Sequence, residues 1–353
     1  MSFQLSETLY PVDELIGTFI QCILMQSDID ECLFWLMELL YTTPNICEGI
    51  VSIYQQFYSN SNKNVEIYLT RKINDYVSSG DIRHIADIVY NLREMPSNPT
   101  AYYIVQYSLL SDSPSIIYKK PNLNESYPIN MYGLFKSIKS KNISNIGVYA
   151  AKSIYINGFE NTRYEIIKYA DSNGIDITSS LCDTMCDKGI QTISYLISKI
   201  LNDCQPPKNR FGRVNLDVFT KMKQHFETNK PNSYKKIKEK QLYLIHNFLP
   251  PLKYGRFTLD QDFHVVCRLH WEYYCFNSIA WNEQITRRGG VLDHNKRQIT
   301  WSNNSHFNND NCMDLDEETM NTSINVIEDP KIWYNLIMEQ SVLNKITRMT
   351  LND

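Results

Sequence analysis

The sequence has no apolar run long enough to cross a bilayer. Its longest apolar-rich stretch near the start is "LIGTFIQCILM", and Asp13 and Glu14 rather than basic residues lead into it. Neither a membrane span nor a secretory signal is expected from such a segment. Strong net charge is also missing. A balance of −4 over 353 residues argues against a chain that coats nucleic acid along its whole surface, and it leaves local basic patches open. The nine cysteines show no paired framework, so free thiols in a reducing compartment are expected. GxSxG, GxxxxGK[ST] and GxGxxG are all absent, so no phosphate loop or nucleophile motif announces catalysis.

What remains is the composition of a folded chain, with 43% hydrophobic and 21% charged residues. The length exceeds what one hydrophobic core usually organises, so two domains are expected. Asparagine, isoleucine, lysine and tyrosine are heavily used. All four have AT-rich codons, a bias that reports genome composition rather than a demand of the fold.

Residues 1–205 read as helical throughout. "SDIDECLFWLMELL" offers Asp28 as a cap, acidic residues in the first turn and an apolar band behind. "TPNICEGIVSIYQQFY" places Thr43 as cap and Pro44 at the first helical position. "SSGDIRHIADIVYNL" sets Asp81 before Ile82, and "SKNISNIGVYAAKSIY" sets Asn142 before Ile143. Ile29, Ile82 and Ile143 thus each follow a capping side chain. The spacing suits about three helices per unit. The fold class expected is mainly α: solenoid-like or bundled helical repeats, followed by a small α+β unit.

The character changes at Pro206. Between Lys208 and Lys240 stand ten Lys or Arg against three Asp or Glu, and residues 206–241 read as a basic linker or helix. Arg210, Arg213, Lys221, Lys223, Lys235, Lys236, Lys238 and Lys240 interleave with Phe211, Phe219, Phe226 and Tyr234. Cations on phosphates and aromatics under bases are what single-stranded nucleic acid binding requires. The alternative is an amphipathic helix with its phenylalanines turned inward, and the seven-residue spacing of Phe219 and Phe226 fits a buried face.

Residues 242–353 read as an α+β domain. "LDQDFHVVCRLHWEYYCFNSIAWNEQI" is expected as one long helix capped by Asp260, with Cys267, Trp271, Tyr274 and Cys275 on one face. Arg268 and Glu272 stand four apart and can pair. In "GGVLDHNKRQITW" two glycines stop the helix, and two short strands flank the turn "DHNK". Trp301 is expected to fold back against the helix. An acidic, Asn-rich loop over 302–329 and a last helix capped by Asp329 complete the chain.

Chemistry-bearing clusters have plain alternatives. His264, Cys267, His270 and Cys275 do not converge on one helix face, because His264 and His270 point about 240° apart. Cys182 and Cys186 share a face without further ligands nearby. Asp314, Asp316, Glu317 and Glu318 could hold a divalent cation or form a solvated acidic patch. Arg287 and Arg288 before two glycines could seat a phosphate or close a helix. No metal and no cofactor is expected.

The block "HWEYYCFNSIAWNEQI…GGVLDHNKRQITW" resembles the C-terminal region of conserved helical proteins of nucleocytoplasmic large DNA viruses, the giant, mimivirus-like viruses. The resemblance implies a viral setting, in the host cytoplasmic factory or the virion, and carries no assigned activity. A shorter run, Ser27, Asp28, Asp30, Leu33, Trp35 and Leu36, resembles a helix start in the C-terminal domains of clamp-loader-related ATPases, where the module mediates oligomerisation. The expectation is a non-enzymatic helical scaffold or adaptor that binds a protein partner in viral replication, transcription or translation. Nucleic-acid binding through 208–240 is the first alternative. An enzyme with a site around Arg287, Arg288, His270 and Glu272 is the second.

Overall fold

The computed structural model describes residues 6, 10, 12–43, 45–59, 61, 63–110, 129–177, 189–201, 210–228, 270, 273–276, 279–287 and 289–301. The described chain is mainly helical, with one two-stranded antiparallel sheet. Its described residues form two compact units: Cys47–Gly212, and the residues up to Ile46 together with those from Arg213 to Trp301. The boundary expected at 205/206 falls outside the described residues. The first two helices group with the later part of the chain, not with the helices that follow them.

In the unit that begins the chain, α1 (Val12–Leu24) packs on α2 (Ile29–Thr42). Helix α2 is buried on nearly every side, from Cys32 to Leu39, as a helix with neighbours all round must be. Trp35 is fully buried. Its indole Nε1 donates to Glu31 Oε1 at 3.0 Å, and Tyr10 and Phe34 meet its ring edge-on.

Later in the chain come α11 (Leu216–Thr228) and α12 (Ile279–Arg287), both packed on α2. The hairpin of β1 (Gly290–Asp293) and β2 (Gln298–Trp301) follows, in the register Gly290 to Trp301 and Asp293 to Gln298. Asp293 Oδ1 accepts from the N–H groups of Asn295 and Lys296 at 3.0 and 3.1 Å, closing the expected turn. Gly289 adopts φ +76°, the left-handed stop for α12. A side chain at Gly290 would collide with Ile285, Ile299 and Trp301. Trp301 thus covers the start of β1.

The expected long helix does not run through. The chain turns at Phe276, between a helical turn at Tyr273–Cys275 and α12. Asn282 Nδ2 donates to the Phe276 carbonyl at 3.0 Å, linking that turn to α12. Tyr274 and Cys275 are buried as expected. Cys267, Trp271, Arg268 and Glu272 lie outside the described residues, as do Asp260, the loop 302–329 and the last helix.

The other unit holds α3 (Ile46–Phe57, from Cys47 on), α4 (Lys63–Ser79), α5 (Arg83–Arg93), α6 (Thr100–Leu110), α7 (Ile129–Lys139), α8 (Ile143–Asn157), α9 (Phe159–Ser172) and α10 (Ile190–Leu201). Helix α8 packs on α6, α7 and α9, and α10 returns to pack on α6, α8 and α9. A stack of repeats touches only its neighbours, so this arrangement is the bundled one of the two expected. Gly147 makes the α6–α8 approach feasible. A Cβ there would stand 2.6 Å from the Ile104 carbonyl oxygen.

The expected caps behave differently from one another. Asn142 caps α8, its Oδ1 accepting from Asn145 N at 3.1 Å. Asp28 stands before α2 without a side-chain cap bond. Asp81 accepts from Arg83 N at 3.0 Å while its carboxylate also holds the Arg83 guanidinium, and α5 starts at Arg83. Thr43 does not open α3. It closes α2, its hydroxyl donating to the Leu39 carbonyl at 3.1 Å, because that donor serves a carbonyl of the last turn.

Candidate functional site

Among the described residues of the expected basic site, most cations lie at the surface, while the aromatics pack against other rings or into the core. Arg210, Arg213 and Lys221 are exposed and Lys223 is half-buried. Lys235, Lys236, Lys238, Lys240 and Tyr234 lie outside the described residues. Phe219 is buried. Phe226 stacks on Tyr41 at 5.9 Å and leans on Phe34 at 5.4 Å. Their shared helix face therefore serves the core, as the seven-residue spacing demands.

Phe211 is held differently. Its ring lies parallel to Tyr68 on α4, 4.0 Å between centroids and 4° between planes. The next residue, Gly212, meets Asn91 on α5. Gly212 N donates to Asn91 Oδ1 at 3.0 Å, and Asn91 Nδ2 donates to the Gly212 carbonyl at 2.9 Å. A main-chain N–H only donates and a carbonyl only accepts, so the pair dictates which way round the amide lies. Asn91 Nδ2 also lies 3.0 Å from the Tyr68 hydroxyl and 2.7 Å from the Asp87 carbonyl. These contacts orient an amide that is itself 2% exposed.

Helices α4 and α5 align these groups. Asp87, one turn before Asn91, pairs with Lys72 of α4 at 2.7 Å. His84 Nδ1 is 3.4 Å from the same ammonium. At the start of α5 the Arg83 guanidinium beside Asp81 holds that carboxyl below the usual carboxylate range, and Asp81 in turn raises Arg83.

A second polar cluster is wholly internal. Glu66 of α4 accepts from Lys199 Nζ at 2.5 Å and from the Tyr195 hydroxyl, both on α10. Glu66 is 2% exposed and Lys199 6%. The ammonium also lies over the Tyr195 ring, 5.1 Å from its centroid. Each charge has a partner, and the cluster joins two helices far apart in the chain. Cys22 and Cys32, both buried, form a thiol pair between α1 and α2. The contact with Cys32, with burial next, pushes the Cys22 thiol up.

Of the residues weighed for metal binding or catalysis, His264, Cys267, Cys182, Cys186, Asp314, Asp316, Glu317, Glu318, Glu272 and Arg288 lie outside the described residues. Cys275 is buried, Arg287 is exposed, and His270 is half-buried. Among the described residues no three His, Cys, Asp or Glu side chains are grouped to hold a metal ion. No helix among them is long and apolar enough to cross a membrane.

Sequence reasoning missed Asn91, Tyr68 and Gly212. One signal was present: in "IADIVYNL" Asn91 follows Ile88 by three positions on the apolar face of α5, where an amide needs a designated partner. No family model, curated protein or solved structure matches this chain.

Proposed function

We propose that this chain is a non-enzymatic helical adaptor that docks an apolar surface of a protein partner. The observation that carries the reading is the outer face of α8 and α9. Helix α8 turns small residues inward: Gly147, Ala150 and Ser153 are buried beside Ile146. Two large apolar residues near its end face solvent, Tyr155 90% exposed and Ile156 55%. Tyr164 on α9 is 63% exposed. Large tyrosines that the core does not use are typical anchors of protein interfaces. The AT-rich codon bias and the C-terminal resemblance support a large DNA virus as the setting, in its cytoplasmic factory.

The test replaces Tyr155, Ile156 and Tyr164 with serine together. The variant keeps the wild-type melting temperature, because these side chains contribute little to the core, and it no longer co-purifies the partner from infected cells. An unchanged set of co-purified proteins would reject the reading.

Nucleic-acid binding is the second reading, favoured by the exposure of Arg210, Arg213 and Lys221. With Phe211, Phe219 and Phe226 engaged in packing, such binding would act on phosphates rather than by stacking. It predicts a steep fall in affinity between about 50 and 200 mM salt. Absence of binding to single-stranded RNA and DNA at the lowest salt removes it.

A further inference from the structure

We propose that the α4–α5 face is a recognition site for an extended aromatic–glycine peptide. Phe211–Gly212 would be its built-in occupant, and a protein partner would present the same motif in trans. The proposal deepens the adaptor reading and rests on it.

Three features of the site each read a different property of the occupant. The Asn91 amide bonds both the N–H and the C=O of one residue, at 3.0 and 2.9 Å. That is the pairing an adjoining strand would offer, so it recognises main chain in an open conformation. The Tyr68 ring, 5% exposed, offers a flat face, and Phe211 covers it in parallel at 4.0 Å. Arg71 lies over Tyr68 with Cζ 5.8 Å from the ring centroid. Finally, the site selects against a side chain at the second position. A Cβ on Gly212 would stand 2.4 Å from Tyr90 Cε1, so any other residue there must push the Tyr90 ring aside.

The site is organised from behind. The Tyr68 hydroxyl and the Asp87 carbonyl fix the Asn91 amide, and the Lys72–Asp87 pair joins α4 to α5. Gly212 supplies the N–H that reaches Asn91 Oδ1, while Nδ2 also has the Tyr68 hydroxyl and the Asp87 carbonyl within reach, so it is the acceptor end of this buried amide that the occupant serves. The segment Arg210–Val214, which has no helix or strand of its own, supplies that occupant in this chain. Tethering gives this segment a high effective concentration, so a motif in trans meets a site that is mostly filled.

The test measures fluorescence anisotropy of a fluorescein-labelled peptide copying residues 210–215, titrated with the full-length chain. Phe211→Ser empties the aromatic half of the site and should bind the peptide at least about tenfold more tightly than wild type. Alanine in place of the peptide's glycine, or Asn91→Leu added to the Phe211→Ser chain, should abolish that binding. A folded Phe211→Ser chain that ignores the peptide at millimolar concentration would overturn the proposal. So would binding indifferent to the glycine.

Should Phe211→Ser fail to fold, the wild-type chain answers. A peptide with benzoylphenylalanine in place of its phenylalanine should photo-crosslink to the fragment containing Tyr68, and labelling elsewhere counts against the site. A wild-type dimer that dissociates on Asn91→Leu would make a second copy the occupant and overturn the partner assignment. The serine variant of Tyr155, Ile156 and Tyr164 should keep peptide binding, so the two readings fail separately.

Discussion

Glu66 and Lys199 are mutual partners in the interior of one unit, their charged atoms 2.5 Å apart, and they join α4 to α10. Neither charge has water to return to. Removing one partner leaves the other buried and unpaired, a loss of about 3–5 kcal/mol. Lys199→Met and Glu66→Gln should each show a loss of that order in urea denaturation. The double replacement Glu66→Leu/Lys199→Met should recover most of it, since a well-packed apolar pair is often neutral or better. Two single losses that simply add would argue against direct pairing.

Gly147 allows α8 to approach α6. An alanine there would place its Cβ 2.6 Å from the Ile104 carbonyl oxygen and as close to Tyr107 Cβ. Backbone does not yield cheaply, so Gly147→Ala should destabilise by about 1–3 kcal/mol, although alanine is the better helix former. A stabilised variant in thermal denaturation would refute this packing.

Asp81 and Arg83 give a pH signature. The arginine holds the Asp81 carboxyl below the usual carboxylate range. A depressed folded-state pKa means stabilisation that is present at neutral pH and lost as pH falls through that pKa. Carbon-13 NMR titration of the carboxyl should show the depression in wild type. In Arg83→Ala the value should move back up toward the usual range. The side chains are partly exposed, at 28% for Asp81 and 56% for Arg83, so the effect on global stability should be small and weaken with salt.

Trp281 tests the core of the other unit. Its ring is 1% exposed, and Nε1 donates to the Ser6 carbonyl at 3.2 Å. Trp281→Phe should cost about 1 kcal/mol for the bond, plus a term for lost volume. Trp281→Ala should cost about 3–5 kcal/mol. Comparable losses for both in chemical denaturation would mean that the hydrogen bond, not the ring volume, dominates.

Local features were legible because their causes are local. The hairpin follows from two glycines, short β-prone runs and an Asp that closes its own turn through Asn295 and Lys296. Asn142 caps α8 through a bond three residues on. The helical character of Phe219 and Phe226, and their common face, follow from period alone. Where neighbours compete, local reading failed. Thr43 could open one helix or close another, and it closes α2. The aromatic block expected as a single helix turns at Phe276, whose carbonyl accepts from the Asn282 side chain.

By itself, then, the sequence determined the class of fold, the hairpin with its turn, and which helix faces are apolar. These depend on periodicity and on side chains bonding within a few residues. Only the tertiary structure decided that α1 and α2 group with the later helices, that α10 returns to α6, and that Glu66 finds Lys199. It alone brought Asn91 to Gly212. Glu66 and Lys199, and Asn91 and Gly212, stand more than a hundred residues apart, and such meetings are set by close packing of whole helices, which no short window of sequence encodes.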